Sequence, residues 1–295
     1  MNVLVTGACG QLGKVLAKAS AGSVNEYIFT DLCIDSAAGV LSLDITDAQS
    51  VEAFVKDRKI DVIVNCASYT AVDRAEEEAD KADMVNNAAV AHLAQCAAAN
   101  NAVLIHISSD YVFDGTSSVP YTEESPLSPL GVYGRTKADS ERAVMASGCR
   151  YIIFRTSWLY SVEGKNFVKR ILEKSAELPE LNVIFDQVGT PTYAPDLASL
   201  ICTVIEEGML DRTGLYNYSN EGVCSWYDFA HEICFQAGHT CHVRPCHTCD
   251  YPRTAERPHF SVLDKTKVKN TFGIDIPHWK DSLMVFMNEM NNIDN

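Results

Sequence analysis

The sequence has no long apolar run. None of its apolar segments reaches the roughly 18 residues that a membrane-spanning helix requires. The first residues, "MNVLVTG", enter a strand-like segment directly, without the basic region, apolar stretch and small-residue cleavage site of a secretory leader. We therefore expect no membrane partner and a cytoplasmic location.

Positive charge is also scarce. The 295 residues include 24 Lys and Arg against 39 Asp and Glu, which gives a formal net charge of −15. A protein that holds a phosphate backbone needs a basic surface, so we expect no nucleic-acid partner. A local basic pocket for a small anion is still compatible with this charge. The length is enough for one large domain or two ordinary ones.

A closed set of disulfides is missing as well, because the number of cysteines, eleven, is odd. Most lie in apolar segments, as buried thiols of a reducing compartment do. The densest group is Cys234, Cys241, Cys246 and Cys249, with three histidines nearby. A structural zinc site usually has two tight ligand pairs, and here Cys234 and Cys241 are seven residues apart. We expect free thiols and no metal, with zinc at this group as the alternative.

What the first half does contain is a regular alternation of β-rich runs with helical ones. Near-continuous apolar strands between helices predict a Rossmann-type, doubly wound parallel sheet covered on both faces. The expected strands are 2–6, 26–30, 61–67, 102–109 and 150–156, and the expected helices are 11–20, 47–58, 81–100 and 132–147. Thr46 and Asp47 are the candidate caps of the second helix.

The rhythm loosens after about residue 160. We expect a strand, a turn and a new helix over 182–198, a strand over 214–220, a helix over 225–238 that stops at Gly238, and a tail helix over 277–290 with Pro277 in its first turn. The predicted fold class is α/β, with a smaller α/β substrate-binding domain added to the Rossmann domain. The expected boundaries are 1–165 with a returning segment at about 195–222 for the Rossmann domain, and 166–194 with 223–295 for the smaller one.

Glycines stand three apart in "VLVTGACGQLGKVLAKA", directly after a strand and at the start of a helix. A tight strand-to-helix turn needs residues without Cβ, and the helix N-terminus offers free N–H groups to a pyrophosphate. Gly7, Gly10 and Gly13, with Gln11 and Leu12, are therefore predicted to bind a dinucleotide, the alternative being a purely structural turn.

The GxxGxxG spacing is similar to that of extended short-chain dehydrogenase/reductases. Asp31 ends the second strand, where an acid binds the adenosine ribose and repels a 2′-phosphate. Both NADPH and NADH stay open as the expected cofactor. The resemblance implies that Asp44 and Ile45 contact the adenine, with helix capping as the other role of Asp44. It further implies that Ala67, Ser68 and Tyr69 line the ribose and nicotinamide side.

The stretch "VYGRTKADSE" places Tyr133 and Lys137 on one face of a helix, four residues apart. A nearby ammonium lowers the pKa of a phenol, and the lysine can also hold the nicotinamide ribose, which makes the pair a candidate for proton transfer. Ser109 follows the strand 102–107 and can donate to a substrate carbonyl, which completes a Ser–Tyr–Lys set. The alternative is a capping serine and a packed tyrosine.

Motifs through nearly the whole chain resemble the dTDP-4-dehydrorhamnose reductase family. They are "VTGACGQLG", "DVIVNCASYTAVDRAE", "SSDYVFDGTSSVPYTEESPLSPLGVYGRTKADSE", "IIFRTSWLY", "GTPTYAPDLA", "SWYDFAHEI" and "RPHFSVLDKTK". The resemblance implies an NAD(P)H-dependent enzyme that reduces C4 of a dTDP-linked 4-keto sugar. Tyr133 would protonate the alkoxide, Lys137 would support it, and Ser109 would bind the carbonyl oxygen.

The same resemblance assigns further contacts and leaves alternatives. Asp110 and Trp158 would contact the sugar nucleotide, and Arg257 would face the diphosphate. The alternative interpretations are a core aromatic for Trp158 and a surface ion pair for Arg257. Ser109 stands where the family often has threonine. A 4,6-dehydratase needs a carboxylate at the position of Tyr111, so this tyrosine argues against dehydration. A 4-epimerase and a non-catalytic regulatory subunit of the same fold stay open, and a homodimer is the candidate assembly.

Overall fold

The computed structural model describes residues 1–35 and 38–293. The strands along the chain are β1 Asn2–Thr6, β2 Glu26–Asp31, β3 Leu41–Ser42, β4 Val62–Asn65, β5 Val103–Ser109, β6 Arg150–Thr156, β7 Leu159–Tyr160, β8 Glu180–Ile184, β9 Val188–Gly189, β10 Thr192–Tyr193, β11 Gly214–Asn217, β12 Cys224–Ser225 and β13 His242–Cys246. The largest sheet has seven strands, all parallel to their neighbours, in the order β11-β6-β5-β4-β1-β2-β3.

Helices cover both faces of this sheet. They are α1 Gln11–Ala19, α2 Ala48–Asp57, α3 Val72–Ala75, α4 Ala79–Asp83, α5 Ala89–Ala99, α6 Val132–Ala146, α7 Phe167–Glu177, α8 Ala194–Glu206, α9 Trp226–Gln236, α10 Thr266–Phe272 and α11 Trp279–Ile293. One hydrophobic cluster joins the sheet to α1, α8 and α10, and a second joins the opposite face to α2, α5 and α6. The strand order and the two covered faces confirm the predicted Rossmann-type sheet.

The predicted elements of the first half agree with the structure to within a few residues at their ends. Asp47 caps α2 by accepting from the Gln49 and Ser50 N–H groups, as expected for a helix that begins after an acid. The long helix predicted over 81–100 is present but is not α-helical throughout: α4 and α5 are joined by a π-helical turn, Met84–Ala88.

The second half contains elements that the sequence analysis missed, notably α7 and α10. The tail helix begins at Trp279, so the prediction that Pro277 lies in its first turn is wrong. The reason is a backbone contact: the Pro277 carbonyl accepts from the Glu221 N–H, which holds residue 277 in an extended segment before the helix. Gly238 follows the last residues of α9 with φ +67, as its stop-signal role requires.

A third hydrophobic cluster lies in the smaller part of the molecule, around Tyr160, Phe229 and Phe286. Two-stranded sheets, β8 with β13 and β9 with β12, border it. Val268 and Phe272 of α10 pack with the large sheet instead. The predicted domain boundaries stay a prediction, and residues 294 and 295 of the predicted smaller domain lie outside the described residues.

Helix α6 is attached to β6 by a buried ion pair. Arg155 donates to both carboxylate oxygens of Glu141, at 2.9 and 2.7 Å, and the Ser108 hydroxyl donates to the same carboxylate at 2.5 Å. The two charged side chains are 2% and 0% exposed. Because α6 carries Tyr133 and Lys137, this pair fixes the helix against the strand that neighbours β5.

Arg155→Met is expected to lower the free energy of unfolding by about 3–5 kcal/mol, because it leaves the Glu141 carboxylate buried without its cation. The matched control is Arg142→Met on the same helix, where the ion pair with Asp139 is exposed and the loss should stay below about 1 kcal/mol. Urea denaturation of both variants measures the difference. Equal losses would contradict a special role of the buried pair.

Candidate active site

The glycine loop after β1 is shaped by close backbone contacts. Gly7 has φ +69, and a Cβ there would lie 2.5 Å from the Ala67 nitrogen of the loop that follows β4. A Cβ on Gly13 would lie 2.4 Å from the Gly7 oxygen, whereas one on Gly10 would meet only that oxygen, at 3.2 Å. Two of the three glycines are thus required by the packing of the loop itself.

Helix α1 presents its N-terminus to this loop. Its first intrahelical bond runs from the Lys14 N–H to the Gly10 carbonyl, so the N–H groups of Gln11, Leu12 and Gly13 point out of the helix end. The Leu12 side chain is buried in the core. The Gln11 side chain accepts from Asn166 at 2.9 Å. Leu12 can therefore reach an anion through its backbone only, and the Gln11 side-chain oxygen is already engaged.

An open cleft of about 650 Å³ lies in front of the loop, and we call it the glycine-loop cleft. Asp31 stands at its edge and accepts from the Cys9 N–H at 2.9 Å. Asp44 accepts from the Thr46 N–H and hydroxyl, so it stabilises a turn and does not cap α2. The predicted cofactor residues in the lining are Gly7, Gly10, Asp31, Asp44, Ile45, Ala67 and Ser68.

Asn86, in the π-helical turn, connects this cleft to α6. Its side-chain oxygen accepts from the Ser68 hydroxyl at 2.9 Å and from the Tyr69 N–H at 2.7 Å. Its nitrogen donates to the Tyr69 carbonyl and to the Thr136 hydroxyl, both at 3.1 Å. Sequence analysis missed Asn86, although π-helical turns are frequent at functional sites.

Tyr133 lies in the first turn of α6, half-buried, with its hydroxyl interacting with the Ser109 hydroxyl. Burial raises the pKa of Tyr133 to about 12, the Ser109 contact lowers it, and Asp110 raises it. Burial outweighs the Ser109 contact, and the expected lowering by Lys137 is not among the causes of this shift in the protein alone. Ser109 also caps the following turn by accepting from the Tyr111 N–H, which is the capping role given as the alternative.

Lys137 is buried one turn further along the same face. Its Nζ donates to the Ile107 carbonyl at 2.6 Å and lies 3.5 Å from the Nε2 atom of His106. Burial lowers the pKa of Lys137 to about 8, and Glu141 opposes that shift. The ammonium is therefore held against the last residues of β5, the strand that ends at Ser109.

Asp110 is 1% exposed, and its Oδ2 atom has no hydrogen-bond partner among the described residues. Burial raises the pKa of Asp110 to about 6, although Ser261 and Ser109 lower it by hydrogen bonding. Ser261 lies close to Gly189, which packs against Trp158. Trp158 stacks on Trp226 with ring centroids 3.5 Å apart.

A second cleft, of about 820 Å³, opens beside Trp226, and we call it the basic cleft. Its floor is apolar, from residues such as Phe167 and Leu181. Its lining, over the part of the chain that the structure describes, has no carboxylate and four cationic side chains: Arg170, Lys174, Arg253 and Arg257. The acidic composition is compatible with a local basic pocket, and this cleft is such a pocket.

Arg257 forms a bidentate ion pair with Asp73, at 3.0 and 2.8 Å. The ion pair expected as the alternative interpretation is thus present, and its arginine is only 18% exposed. A diphosphate in the basic cleft would compete with Asp73 for the guanidinium. Tyr111 links the two regions, because it interacts with Arg257 and packs edge-on against Tyr133 at 5.6 Å.

Comparison with known proteins decides the family. The family model described as "RmlD substrate binding domain" matches residues 1–292. A dTDP-4-dehydrorhamnose reductase from Aggregatibacter actinomycetemcomitans is 39% identical over 291 residues, covering 96% of this chain and 97% of that protein. The chain belongs to the dTDP-4-dehydrorhamnose reductase family. The predicted family and the predicted enzyme class, an oxidoreductase, are confirmed.

Solved structures of this reductase family have the same fold. The reductase from Clostridium acetobutylicum is 40% identical, with a TM-score of 0.92 over 99% of this chain and 100% of that one. The reductase from Bacillus anthracis, solved in complex with NADP, is 33% identical, with a TM-score of 0.86 over 98% of this chain and 99% of that one.

The structure of this reductase-family chain brings Ser109, Tyr133, Lys137 and Asp110 together and joins Trp158 to the basic cleft. Sequence analysis missed Trp226, Arg170, Lys174 and Arg253, which come from segments far apart in the chain. All eleven cysteines are free thiols. Within residues 1–35 and 38–293, no group of three His, Cys, Asp or Glu is arranged to hold a metal ion. No helix in that part of the chain is both long and apolar enough to cross a membrane.

Proposed function

We propose that the protein reduces the C4 ketone of dTDP-4-dehydro-L-rhamnose to give dTDP-L-rhamnose, with NADPH or NADH as the reductant. The observation that carries this proposal is the meeting of Ser109, Tyr133 and Lys137 at the carboxyl end of β5, in a chain of this family. Ligands of doubly wound sheets bind at the carboxyl ends of the strands.

The glycine-loop cleft fits a dinucleotide. A pyrophosphate would be held by the N–H groups at the start of α1, and the ribose by Asp31. The NADP complex of the Bacillus anthracis relative supports the same class of cofactor. When bound, the nicotinamide supplies the hydride. The chain itself must then orient the sugar, exclude water and deliver a proton.

Tyr133 is the proposed proton donor to the C4 oxygen. Although burial raises its pKa to about 12, a phenol is still a stronger acid than the sugar alcohol that forms, so the proton moves towards the alkoxide. The Ser109 hydroxyl would donate to the same oxygen and hold it within reach. The Lys137 ammonium, fixed by the Ile107 carbonyl, would stabilise the phenolate left on Tyr133.

The basic cleft is the proposed site of the nucleoside diphosphate. Arginine and lysine side chains bind phosphate oxygens, and the Trp158–Trp226 pair offers a rigid aromatic face beside them. Asp110, with one buried oxygen free to accept, would take a hydrogen bond from a sugar hydroxyl. The cytoplasmic location, the homodimer and the division into two domains stay predictions.

One assay separates this function from its alternatives. Purified protein is mixed with dTDP-4-dehydro-L-rhamnose and NADPH or NADH, and the nicotinamide absorbance is followed. We expect its loss together with dTDP-L-rhamnose as the product. A folded protein that binds the dinucleotide but turns nothing over would be the regulatory subunit, and a product epimerised without net cofactor consumption would indicate a 4-epimerase.

Asp31→Asn is expected to raise kcat/KM for NADPH relative to NADH by about tenfold, since it removes a negative charge beside the ribose without changing the side-chain shape. The matched control is Asp44→Asn in the same cleft, which should leave the ratio within about twofold, because Asp44 is predicted to face the adenine. Steady-state kinetics with both cofactors give the ratio. An unchanged ratio in Asp31→Asn would mean that the 2′-phosphate lies elsewhere.

A further inference from the structure

His106 has no role in the site described so far, yet its imidazole lies directly beside Lys137. It is on β5, paired with Asn65 on β4, and its side chain is fully buried. The Nδ1 atom is 3.1 Å from Asn65 Nδ2, and the Nε2 atom is 3.2 Å from the Ser140 hydroxyl. Nδ1 therefore has one polar neighbour, Asn65, and Nε2 has two, Ser140 and Lys137.

The neighbours of Asn65 determine which ring nitrogen carries the proton. The Thr6 hydroxyl and the Ala67 N–H both donate to one side-chain atom of Asn65, at 2.7 and 3.2 Å. A backbone N–H can only donate, so that atom is the oxygen, and the amide nitrogen faces His106. Since this nitrogen also only donates, Nδ1 accepts and the proton of the neutral ring lies on Nε2.

The other side of the ring is consistent with this assignment. The Ser140 hydroxyl donates to the Lys137 carbonyl at 2.7 Å, so its oxygen is free to accept from Nε2. A second proton on the ring would face the Asn65 amide hydrogens and add a charge 3.5 Å from the ammonium. Burial first, and Lys137 second, lower the pKa of His106 well below its ordinary value. The ring is therefore neutral.

We propose that His106 is a positioning residue, which couples the cofactor-binding loop at Ala67 to the catalytic lysine. Asn65 holds the loop with its oxygen and the imidazole with its nitrogen. The imidazole in turn holds Ser140, on the turn of α6 that follows Lys137. One chain of hydrogen bonds thus sets the spacing between the cofactor loop and the lysine; this role rests on the proposed reductase function.

Two substitutions divide the chain of hydrogen bonds. In His106→Gln, the side-chain nitrogen reaches the position of Nε2 and keeps the bond to Ser140. In His106→Asn, the shorter amide can accept from Asn65 but cannot reach Ser140. We expect His106→Asn to lower kcat about 10- to 100-fold, with KM for the sugar and the cofactor Kd within about threefold, because a small displacement of a catalytic group acts on the chemical step.

His106→Gln keeps the bond to Ser140 and loses the one to Asn65, so it should keep kcat within about fivefold of the unmodified protein and raise the cofactor Kd. That split between the two variants separates positioning from simple packing. A folded His106→Asn protein with unchanged kcat, or equal losses in both variants, would overturn the proposal. Should His106→Asn not fold, Ser140→Ala replaces it, since it removes the acceptor of Nε2 together with one bond to the Lys137 carbonyl inside the same helix. An unchanged kcat in Ser140→Ala would then be the contrary result.

Nuclear magnetic resonance of the ring nitrogens gives a test that needs no turnover. We expect Nδ1 without a proton and Nε2 with one, unchanged between about pH 6 and 8. A protonated Nδ1, or a ring that titrates in this range, would overturn the hydrogen-bond chain. If the protein does not reduce the dTDP sugar, the proposed function fails, while this spectrum still decides the arrangement around His106.

Discussion

Tyr133→Phe is expected to lower kcat for the dTDP-linked ketone by about a thousandfold, because a general acid contributes roughly 10²–10⁴ in rate. The substitution removes one hydroxyl and keeps the ring that packs in the first turn of α6. The Kd for NADPH or NADH should change by less than about threefold, since the pyrophosphate and adenosine contacts are untouched. Nicotinamide absorbance measures kcat, and fluorescence quenching measures Kd.

Tyr111→Phe is the matched control, since it deletes the same atom from the ring that packs against Tyr133. Its hydroxyl interacts with Arg257, so we expect a higher KM for the sugar nucleotide and a kcat within about threefold. Full activity in Tyr133→Phe would show that the proton comes from another group. Asp110, which has a pKa of about 6 and lies beside Ser109, would then be the first candidate.

Gly7→Ala is expected to have the largest effect on folding, a loss of more than about 3 kcal/mol in the free energy of unfolding. Two causes add at this position. The backbone has φ +69, and the new Cβ would lie 2.5 Å from the Ala67 nitrogen. Because Ala67 belongs to the loop that lines the same cleft, relief of the clash would also move the cofactor contacts. Urea denaturation and dinucleotide binding measure the two effects.

Two further glycines serve as controls for the two causes. Gly22 has φ +85 with nothing within 4 Å of a Cβ, so Gly22→Ala should lose only about 1 kcal/mol from backbone strain. Gly10 has an ordinary φ of −75 and lines the cleft, so Gly10→Ala should lose cofactor affinity more than stability. Similar stability losses in Gly7→Ala and Gly22→Ala would show that the contact with Ala67 is not limiting.

The sheet and the glycine loop could be predicted because their determinants are local. A parallel strand buried on both faces is apolar along its length, and a strand-to-helix turn needs glycine at fixed spacing. The same holds for Tyr133 and Lys137, which a single helix places on one face. Ser109 required one further step, the rule that strand ends meet at one edge of the sheet.

The basic cleft could not be predicted in this way. Arg170 and Lys174 are on α7, whereas Arg253 and Arg257 are about 80 residues further along, after β13. Their proximity depends on how the smaller part of the molecule packs, and no spacing in the sequence records that. The raised pKa of Tyr133 could not be predicted either, since burial is a property of the packed site and not of the motif.

The π-helical turn at Met84–Ala88 has a consequence for the register of the chain. A π turn takes one residue more than an α turn, so the halves of the helix before and after it are out of phase by about 100°. Deleting one residue there would restore a regular helix and rotate Asn86 relative to α5, away from Ser68 and Thr136. A relative that lacks the extra residue would therefore need a different side chain to hold the loop after β4 against α6.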